Sequence, residues 1–286
     1  MKIMKFGGSS LTGTAGVVYV ASLIGKYGSQ DQTVVVVSAL QSITNQLLET
    51  AKPAAQKDKL FTSISNHHLT IARQLQLDPI VVENVHTLLE TLRASLETRD
   101  NDLIASFGER LSAQLVAGAC NKLGIGSDAV SSLDMIRTTA GSDGNNHILY
   151  PESQSRAIAR LEPLLYAGLI PIVTGYIAQT VDGKVTTLGR GGSDLTATLL
   201  ARFLKADEVI LWKDELGISE ADPKVNPEAR LLPRITYHEA ENLARQGAGV
   251  LHPEAMAPIA VLGIPVWIKS VYLPHLEGTR ISHERQ

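Results

Sequence analysis

Two glycine-containing segments carry residues that could bind phosphate. "KFGGSS" (5–10) places Lys5 beside Gly7 and Gly8, and "TLGRGGSD" (187–194) places Arg190 and Asp194 among three glycines. Glycine lets a backbone approach phosphate oxygens closely, and lysine supplies a compact positive charge. Free N–H groups at a helix N-terminus also bind anions. One such segment alone predicts only a tight turn before a capped helix, but two together indicate a phosphate site.

Several other chemistries are excluded because their motifs are absent. The sequence has no G-x-x-x-x-G-K-[ST], no G-x-G-x-x-G, no H-E-x-x-H and no G-x-S-x-G. Cys120 is the only cysteine, so neither a disulfide framework nor a thiolate zinc site is expected. The net charge is −3 without a basic block, which argues against nucleic acid as a partner. No apolar run is long enough to span a membrane, and "MKIMKFGG" lacks the apolar core of a signal peptide, so we expect a cytoplasmic protein with no membrane contact.

The elements that must position these residues alternate between strand and helix. Strand patterns occur at 2–6, 33–39, 170–178, 207–212 and 264–268, and helical patterns at 14–27, 43–51 and 106–125. Residues 60–98 predict a helical hairpin with Pro79 near its turn, and 180–188 predict a β-hairpin. The continuous apolar run "VVVV" (34–37) favours a parallel sheet covered on both faces. The sequence therefore predicts an α/β fold with a mostly parallel central sheet.

Local signals give further expectations. Ser193 is a favourable helix N-cap, and Asp194 suits the first turn of the helix that follows. Segment 127–150 reads as loop-rich, and His67 and His68 read as a solvated helix face.

Six motifs in order along the chain resemble the aspartokinases. They are "KFGGSS" (5–10), "SALQSITN" (38–45), "FGERLSA" (107–113), "TLGRGGSDLTA" (187–197), "DPKVNPEARLL" (222–232) and "GAGVLHPEAM" (247–256). The resemblance implies the amino-acid kinase fold, a three-layer α/β/α sandwich with a mostly parallel central sheet. It implies one domain over 1–286, with an acceptor lobe at about 1–185 and a nucleotide lobe at about 186–286.

The resemblance also implies a reaction. It is transfer of the ATP γ-phosphoryl group to the side-chain carboxylate of L-aspartate, giving 4-phospho-L-aspartate, the first step of aspartate-family amino-acid biosynthesis, including lysine and threonine. ATP and Mg²⁺ would be the cofactors. The carboxylate, with a reference pKa near ~4, is already anionic and needs no general base. The chemistry instead needs cations and backbone donors that stabilise negative charge.

The resemblance to the aspartokinases implies roles for the residues of this sequence that match the family's motifs. Lys5 would bridge the β- and γ-phosphates, and Asp194 would orient Lys5 or a magnesium-bound water. Arg190 would bind the substrate α-carboxylate and Glu109 its α-ammonium. The remaining acceptor contacts would be Ser38, Thr44, Thr187 and Ser193. The remaining nucleotide contacts would be Gly7, Gly8, Lys213, Asp214, Ser219 and Lys224. No protein ligand to a metal is assigned.

Departures from the family pattern fall on the nucleotide side. The aspartokinases usually carry threonine at the position of Lys213, tyrosine at Ser219 and arginine at Lys224, and lysine at Gly249. We expect altered nucleotide contacts, with Lys213 and Lys269 as the cations available to restore the lost charge.

Two alternative functions stay open at this point. One is a kinase of another carboxylate or carbamate acceptor, because Leu40 and Gln41 replace the family's usual small residues. The other is a catalytically weak subunit that binds an amino acid or nucleotide and regulates a partner. The family usually continues into ACT domains that bind lysine or threonine, whereas this chain ends at Gln286. Feedback through such domains is not expected within this chain, and a homodimer or a separate regulatory partner is expected.

Overall fold

The computed structural model describes residues 1–52, 56–140, 146–221, 226, 228–245 and 252–284. Its strands are β1 (Lys2–Phe6), β2 (Thr33–Val37), β3 (Ser127–Val130), β4 (Arg137–Ala140), β5 (Asn146–Ile148), β6 (Ile170–Thr174), β7 (Ile177–Thr180), β8 (Val185–Thr187), β9 (Glu208–Lys213), β10 (Arg234–Thr236), β11 (Val266–Ser270) and β12 (Thr279–Ser282). Its α-helices are α1 (Gly13–Gly28), α2 (Ile43–Ala51), α3 (Lys57–Gln74), α4 (Pro79–Ser95), α5 (Asn101–Lys122), α6 (Tyr150–Tyr166), α7 (Gly192–Leu204), α8 (Tyr237–Arg245) and α9 (Ala257–Ala260).

The central sheet has eight strands in the order β10-β12-β11-β9-β1-β2-β6-β3. Every pair is parallel except β11 with β12, which confirms the predicted mostly parallel sheet. Strand β1 lies between β2 and β9, so the first strand of the chain has neighbours from both halves of the sequence.

Alternate residues of the sheet enter two separate cores, because successive side chains of a strand point to opposite faces. Met4 and Phe6 of β1 pack on the side of α1 and α5, whereas Ile3 packs on the side of α6 and α7. In β2, Val35 joins the first core and Val36 the second. Both faces are therefore apolar, as the run "VVVV" predicts, and the molecule has three α/β/α layers.

A second sheet of four short strands, in the order β5-β4-β7-β8, lies outside the central one. It contains the predicted hairpin, with β7 antiparallel to β8. For residues 127–140 and 146–150, the part of segment 127–150 that the structure describes, the expectation of a loop-rich segment was wrong, because β3 joins the central sheet and β4 and β5 join the small one. These strands have three or four residues each, too few for a visible sequence period.

Two expectations about the helices differ from the structure here: the start of α5 and the exposure of His68. Helix α5 begins at Asn101, five residues before the predicted start, because Asp100 caps it by accepting the N–H of Leu103 at 3.0 Å. His68 is fully buried, not solvated, and its Nδ1 lies 2.7 Å from the carbonyl oxygen of Ile64. Burial lowers the pKa of His68 to about 4, so the ring is neutral. Within the described residues, no helix is long and apolar enough to cross a membrane.

Candidate active site

A cavity of roughly 800 Å³ opens where β1 and β2 end and α7 begins. Eight of the predicted site residues line it: Lys5, Gly8, Ser38, Thr44, Glu109, Arg190, Ser193 and Asp194. They come from the two glycine segments, from the residues after β2, from α2 and from the middle of α5. The fold therefore brings together most of the residues that the resemblance assigns.

Lys5 and Asp194 line the cavity and form a cluster of three charges with Lys213, which is not among the lining residues. Lys5 Nζ lies 2.8 Å from Asp194 Oδ1, and Lys213 Nζ lies 2.7 Å from Asp194 Oδ2. The side chains of Lys5 and Asp194 are 8% and 6% exposed, so water screens this pair weakly. Burial alone would raise the pKa of Asp194, but the two ammonium groups outweigh it and lower that pKa to about 2. Burial lowers the pKa of Lys5, and the Asp194 carboxylate opposes that shift.

Glu109 brings a different carboxyl group to the same cavity. Its Oε1 accepts the N–H of Ala39 at 3.2 Å, while its Oε2 is buried without a hydrogen-bond partner among the described residues. Burial raises the pKa of Glu109 to about 8, so the group is mostly protonated at neutral pH. A buried, half-satisfied carboxyl facing a cavity is suited to receive a cationic ligand group.

Four residues of the cavity wall have their backbone in the left-handed region. Ser42 and Tyr176 adopt φ of 65° and 69°, and Gly189 and Gly191 adopt 69° and 74°. Side chains rarely tolerate this conformation, and such strain concentrates at binding sites. Gly8 is required for a different reason, since a Cβ there would lie 2.8 Å from the carbonyl oxygen of Ala39.

Helix α7 begins without a side-chain cap. Gly191 occupies the N-cap position, so the prediction of Ser193 as the cap was wrong. The hydroxyl of Ser193 instead receives a hydrogen bond from Ser38 Oγ at 3.0 Å, which joins the end of β2 to the start of α7. Asp194 lies in the first turn of α7, as the sequence predicts.

Asp102 does not line the cavity, but it holds the segment before Arg190, a contact that sequence reasoning missed. From the first turn of α5, its carboxylate accepts hydrogen bonds from Thr186 Oγ1 at 3.1 Å and from the N–H and Oγ1 of Thr187 at 3.2 and 3.1 Å. Thr187 is thus held by Asp102 and is not among the residues that line the cavity. No local motif signals this contact, because about 85 residues separate the partners in sequence. Tyr176 in the cavity wall was missed too.

The remaining predicted nucleotide contacts lie around the cluster or outside the described residues. Gly7 adjoins Lys5, since a Cβ there would lie 3.5 Å from Lys5 Nζ. Asp214 accepts a hydrogen bond from Ser9 Oγ at 3.0 Å. Ser219 pairs with Leu231 in an isolated β-bridge and does not line the cavity. Positions Lys224 and Gly249 lie outside the described residues.

Lys269 does not join the charged cluster. It pairs with Trp212 in the β9–β11 register, so its side chain lies on the face of the sheet opposite Lys213. Its Nζ is 5.8 Å from the ring centroid of Trp267. Of the two cations proposed to restore lost charge, only Lys213 reaches Asp194.

The sequence profile of the amino acid kinase family matches residues 1–270. The chain belongs to the amino acid kinase family. Among curated relatives, this amino acid kinase is 34% identical to aspartokinase 1, chloroplastic, of Arabidopsis thaliana over 297 residues, which cover 99% of this chain and 52% of that protein. It is 30% identical to the aspartokinase of Saccharomyces cerevisiae, covering 98% of this chain and 58% of that one.

The solved structures agree with the sequence matches. E. coli aspartokinase III in complex with aspartate and ADP (R-state) superposes with a TM-score of 0.91 at 29% identity, covering 100% of this chain and 65% of that one. This match confirms the predicted three-layer fold. The resemblance to the aspartokinases is confirmed as well, although this amino acid kinase spans only about half the length of the plant relatives.

Proposed function

We propose that this chain transfers the γ-phosphoryl group of ATP to the side-chain carboxylate of L-aspartate, giving 4-phospho-L-aspartate. The observation that carries the proposal is that Lys5, Asp194, Glu109 and Arg190 line one cavity, with Lys213 paired to Asp194. The cluster offers cations to phosphate, while a carboxyl and a guanidinium offer partners to an amino acid. The aspartate and ADP bound by E. coli aspartokinase III support the same pair of substrates.

The acceptor would bind between Glu109 and Arg190. Its ammonium group would pair with Glu109, which favours release of the Glu109 proton and satisfies the unpartnered Oε2. Its α-carboxylate would pair with Arg190, which is exposed and has no hydrogen-bond or ion-pair partner among the described residues. Further donors are the hydroxyl groups of Ser38, Thr44 and Ser193 in the cavity lining. Thr187 would act through the shape of the segment that carries Arg190.

The nucleotide would bind on the other side of Lys5, with its phosphates against the backbone at Gly7 and Gly8. The close approach of Gly8 to Ala39 leaves no room for a side chain there. Lys213 and Asp214 lie at the end of β9 on this side, and by resemblance Ser219 and Lys224 would complete the nucleotide contacts. Residues 1–185 would then form the acceptor lobe and 186–286 the nucleotide lobe of one domain.

The chemical step needs positioning and charge stabilisation more than proton transfer. An oxygen of the acceptor β-carboxylate forms a bond to Pγ, and the bond between Pγ and the β,γ-bridging oxygen breaks. The electron pair leaves on the β-phosphate of ADP, and no proton is moved. Lys5 would hold the transferring group, and Asp194 would fix the direction of Lys5 through their 2.8 Å ion pair.

Mg²⁺ fits this site as a companion of the nucleotide. Both oxygens of Asp194 are taken by lysines, and no group of three or more metal-binding side chains occurs among the described residues. Magnesium commonly binds through substrate phosphates, waters and few carboxylates. When bound with the nucleotide, the ion would neutralise phosphate charge.

Trapping the acyl phosphate tests the proposed function. The purified chain is incubated with Mg·ATP, L-aspartate and hydroxylamine, and aspartyl hydroxamate is measured. We expect hydroxamate from the wild type, none from Lys5→Ala, and a wild-type amount from Lys184→Ala, which changes an exposed lysine on the β7–β8 hairpin. Hydroxamate from other carboxylates but not from aspartate would favour a different acceptor. ATP binding without hydroxamate would favour a regulatory subunit.

Only the resemblance to the aspartokinases supports a proposal about quaternary structure. We propose a homodimer, or association with a separate regulatory partner, and size-exclusion chromatography with light scattering tests the first. The cytoplasmic location expected from the sequence stays a prediction.

A further inference from the structure

Lys5 and Lys213 leave neighbouring strands on the same face of the central sheet. Lys5 of β1 pairs with Leu211 of β9, and Lys213 follows Leu211 by two positions, so all three side chains share one face. The intervening Trp212 points to the other face, where its ring stacks on Phe6 at 5.8 Å between centroids. Both ammonium groups therefore point towards the start of α7, where Asp194 lies.

The cluster holds more positive than negative charge. Each oxygen of the Asp194 carboxylate is paired with one lysine, at 2.8 and 2.7 Å. The pKa of Glu109, raised to about 8 by burial, keeps that group mostly neutral, so it does not balance the second lysine. An uncompensated cation in a poorly solvated place is costly unless an anion joins it. The cluster therefore favours binding of an anionic ligand.

The order of the strands places the two lysines at different distances from the acceptor side of the cavity. Ser38 and Ala39, on the acceptor side of the cavity, follow β2, which is one neighbour of β1. Lys213 ends β9, which is the other neighbour. Lys5 therefore lies between the acceptor side and Lys213, which places Lys213 nearest the leaving group.

We propose that Lys213 is a second catalytic cation, which exchanges Asp194 Oδ2 for a β-phosphate oxygen of the nucleotide and stabilises the leaving diphosphate. This inference rests on the proposed function and extends it by naming the residue that receives the charge. As the acceptor oxygen bonds to Pγ, the electron pair of the broken bond goes to the bridging oxygen, which departs with the β-phosphate. Lys5 stays with the transferring group.

Two measurements on the full chain test the role of Lys213. The variants are Lys213→Met, Lys213→Arg and the matched control Lys269→Met, which removes a lysine at the same end of the sheet but on its other face. Calorimetry measures the affinities for ADP and AMP. The hydroxamate assay measures kcat and both KM values. Thermal unfolding checks that each variant is folded.

We expect Lys213→Met to weaken ADP binding about tenfold while AMP binding stays near the wild-type value, because AMP has no β-phosphate. Its kcat should fall by roughly 10²–10³-fold with little change in KM for aspartate. Lys213→Arg should recover part of both losses, and Lys269→Met should match the wild type.

Unchanged kcat in Lys213→Met would overturn the proposal. Equal losses of ADP and AMP affinity would also overturn it, since they would indicate that Lys213 only holds Asp194 in place. If the wild type itself forms no hydroxamate, the proposed function fails, and the comparison of ADP with AMP still decides whether Lys213 contacts the β-phosphate.

Discussion

The carboxylate of Asp102 accepts both the N–H and the hydroxyl of Thr187, at 3.2 and 3.1 Å. This contact joins the first turn of α5 to the last residue of β8, three residues before Arg190. Glu109 lies on the same helix, seven residues or about two turns after Asp102. One rigid helix thus carries the proposed ammonium partner and fixes the segment that carries the proposed carboxylate partner, so it sets the spacing between the two.

Loss of Asp102 should therefore weaken acceptor binding without affecting the nucleotide. We expect Asp102→Ala to raise KM for aspartate about tenfold, because three hydrogen bonds to a charged group are lost, and to leave KM for ATP near the wild-type value. Steady-state kinetics with each substrate varied in turn measure both constants. The matched control is Asp182→Ala, in the turn of the same hairpin. Equal rises in both KM values would contradict a positioning role.

Arg190 allows binding and stability to be separated. Its side chain is exposed and has no partner among the described residues, so Arg190→Ala should change the free energy of unfolding by no more than about 0.5 kcal/mol. The same change should raise KM for aspartate roughly 100-fold if the α-carboxylate binds there. Denaturant unfolding and initial-rate kinetics measure the two effects, with Arg245→Ala as an exposed arginine control. A normal KM would remove Arg190 from the acceptor site.

Glu109 should make stability depend on pH. Its pKa is raised from the usual 4.5 to about 8, so the folded chain keeps a proton that the unfolded chain releases. The free energy of unfolding should therefore fall as pH rises from about 4.5 to 8. We expect Glu109→Gln to remove that contribution. The difference in Tm between the variant and the wild type should therefore be more favourable to the variant at pH 8 than at pH 5. Glu90→Gln, which changes an exposed residue, is the control. Parallel pH profiles for wild type and Glu109→Gln would mean that the group titrates normally.

The contribution of Asp194 to stability should depend on pH in the opposite sense to that of Glu109. The pKa of Asp194 is lowered from the usual 3.8 to about 2, so its stabilising ion pairs are complete above about pH 3.8 and are lost as pH falls towards 2. Asp194→Asn leaves two lysines without their carboxylate and should destabilise the fold by about 3–5 kcal/mol at pH 7. Because a phosphate anion can replace the lost charge, pyrophosphate should raise the Tm of this variant more than that of the wild type. Equal Tm shifts in thermal scans would argue against an anion site at the cluster.

Local signals predicted the mostly parallel sheet buried on both faces, whereas the three layers and the site residues were predicted from the resemblance to the aspartokinases. The run "VVVV" is apolar on both sides since both faces of β2 are buried, and glycine marks the positions where backbone approaches backbone. Contacts between distant segments have no such signal. The bonds of Asp102 to Thr187, and the reach of Lys213 to Asp194, depend on which strands become neighbours in the folded sheet.

Burial of polar residues was equally hard to predict. His68 follows another histidine on a largely polar helix, and only the packing of α3 places it inside. Ser193 looked like a cap because serine before a helix usually is one, but the N-cap is the left-handed Gly191, two residues earlier. In both cases tertiary structure outweighed a local preference that is correct on average.

The stacking of Trp212 on Phe6 gives the protein a built-in optical reporter. Trp212 is fully buried and directly precedes Lys213, and Phe6 directly follows Lys5, so the stacked rings lie on the opposite face of the sheet from both proposed phosphate contacts but adjacent to them in sequence. The chain has two tryptophans, and Trp267→Phe would leave Trp212 as the only tryptophan, which can be excited apart from the tyrosines. Movement of either lysine onto a nucleotide should then be visible as a change in fluorescence, without any attached dye.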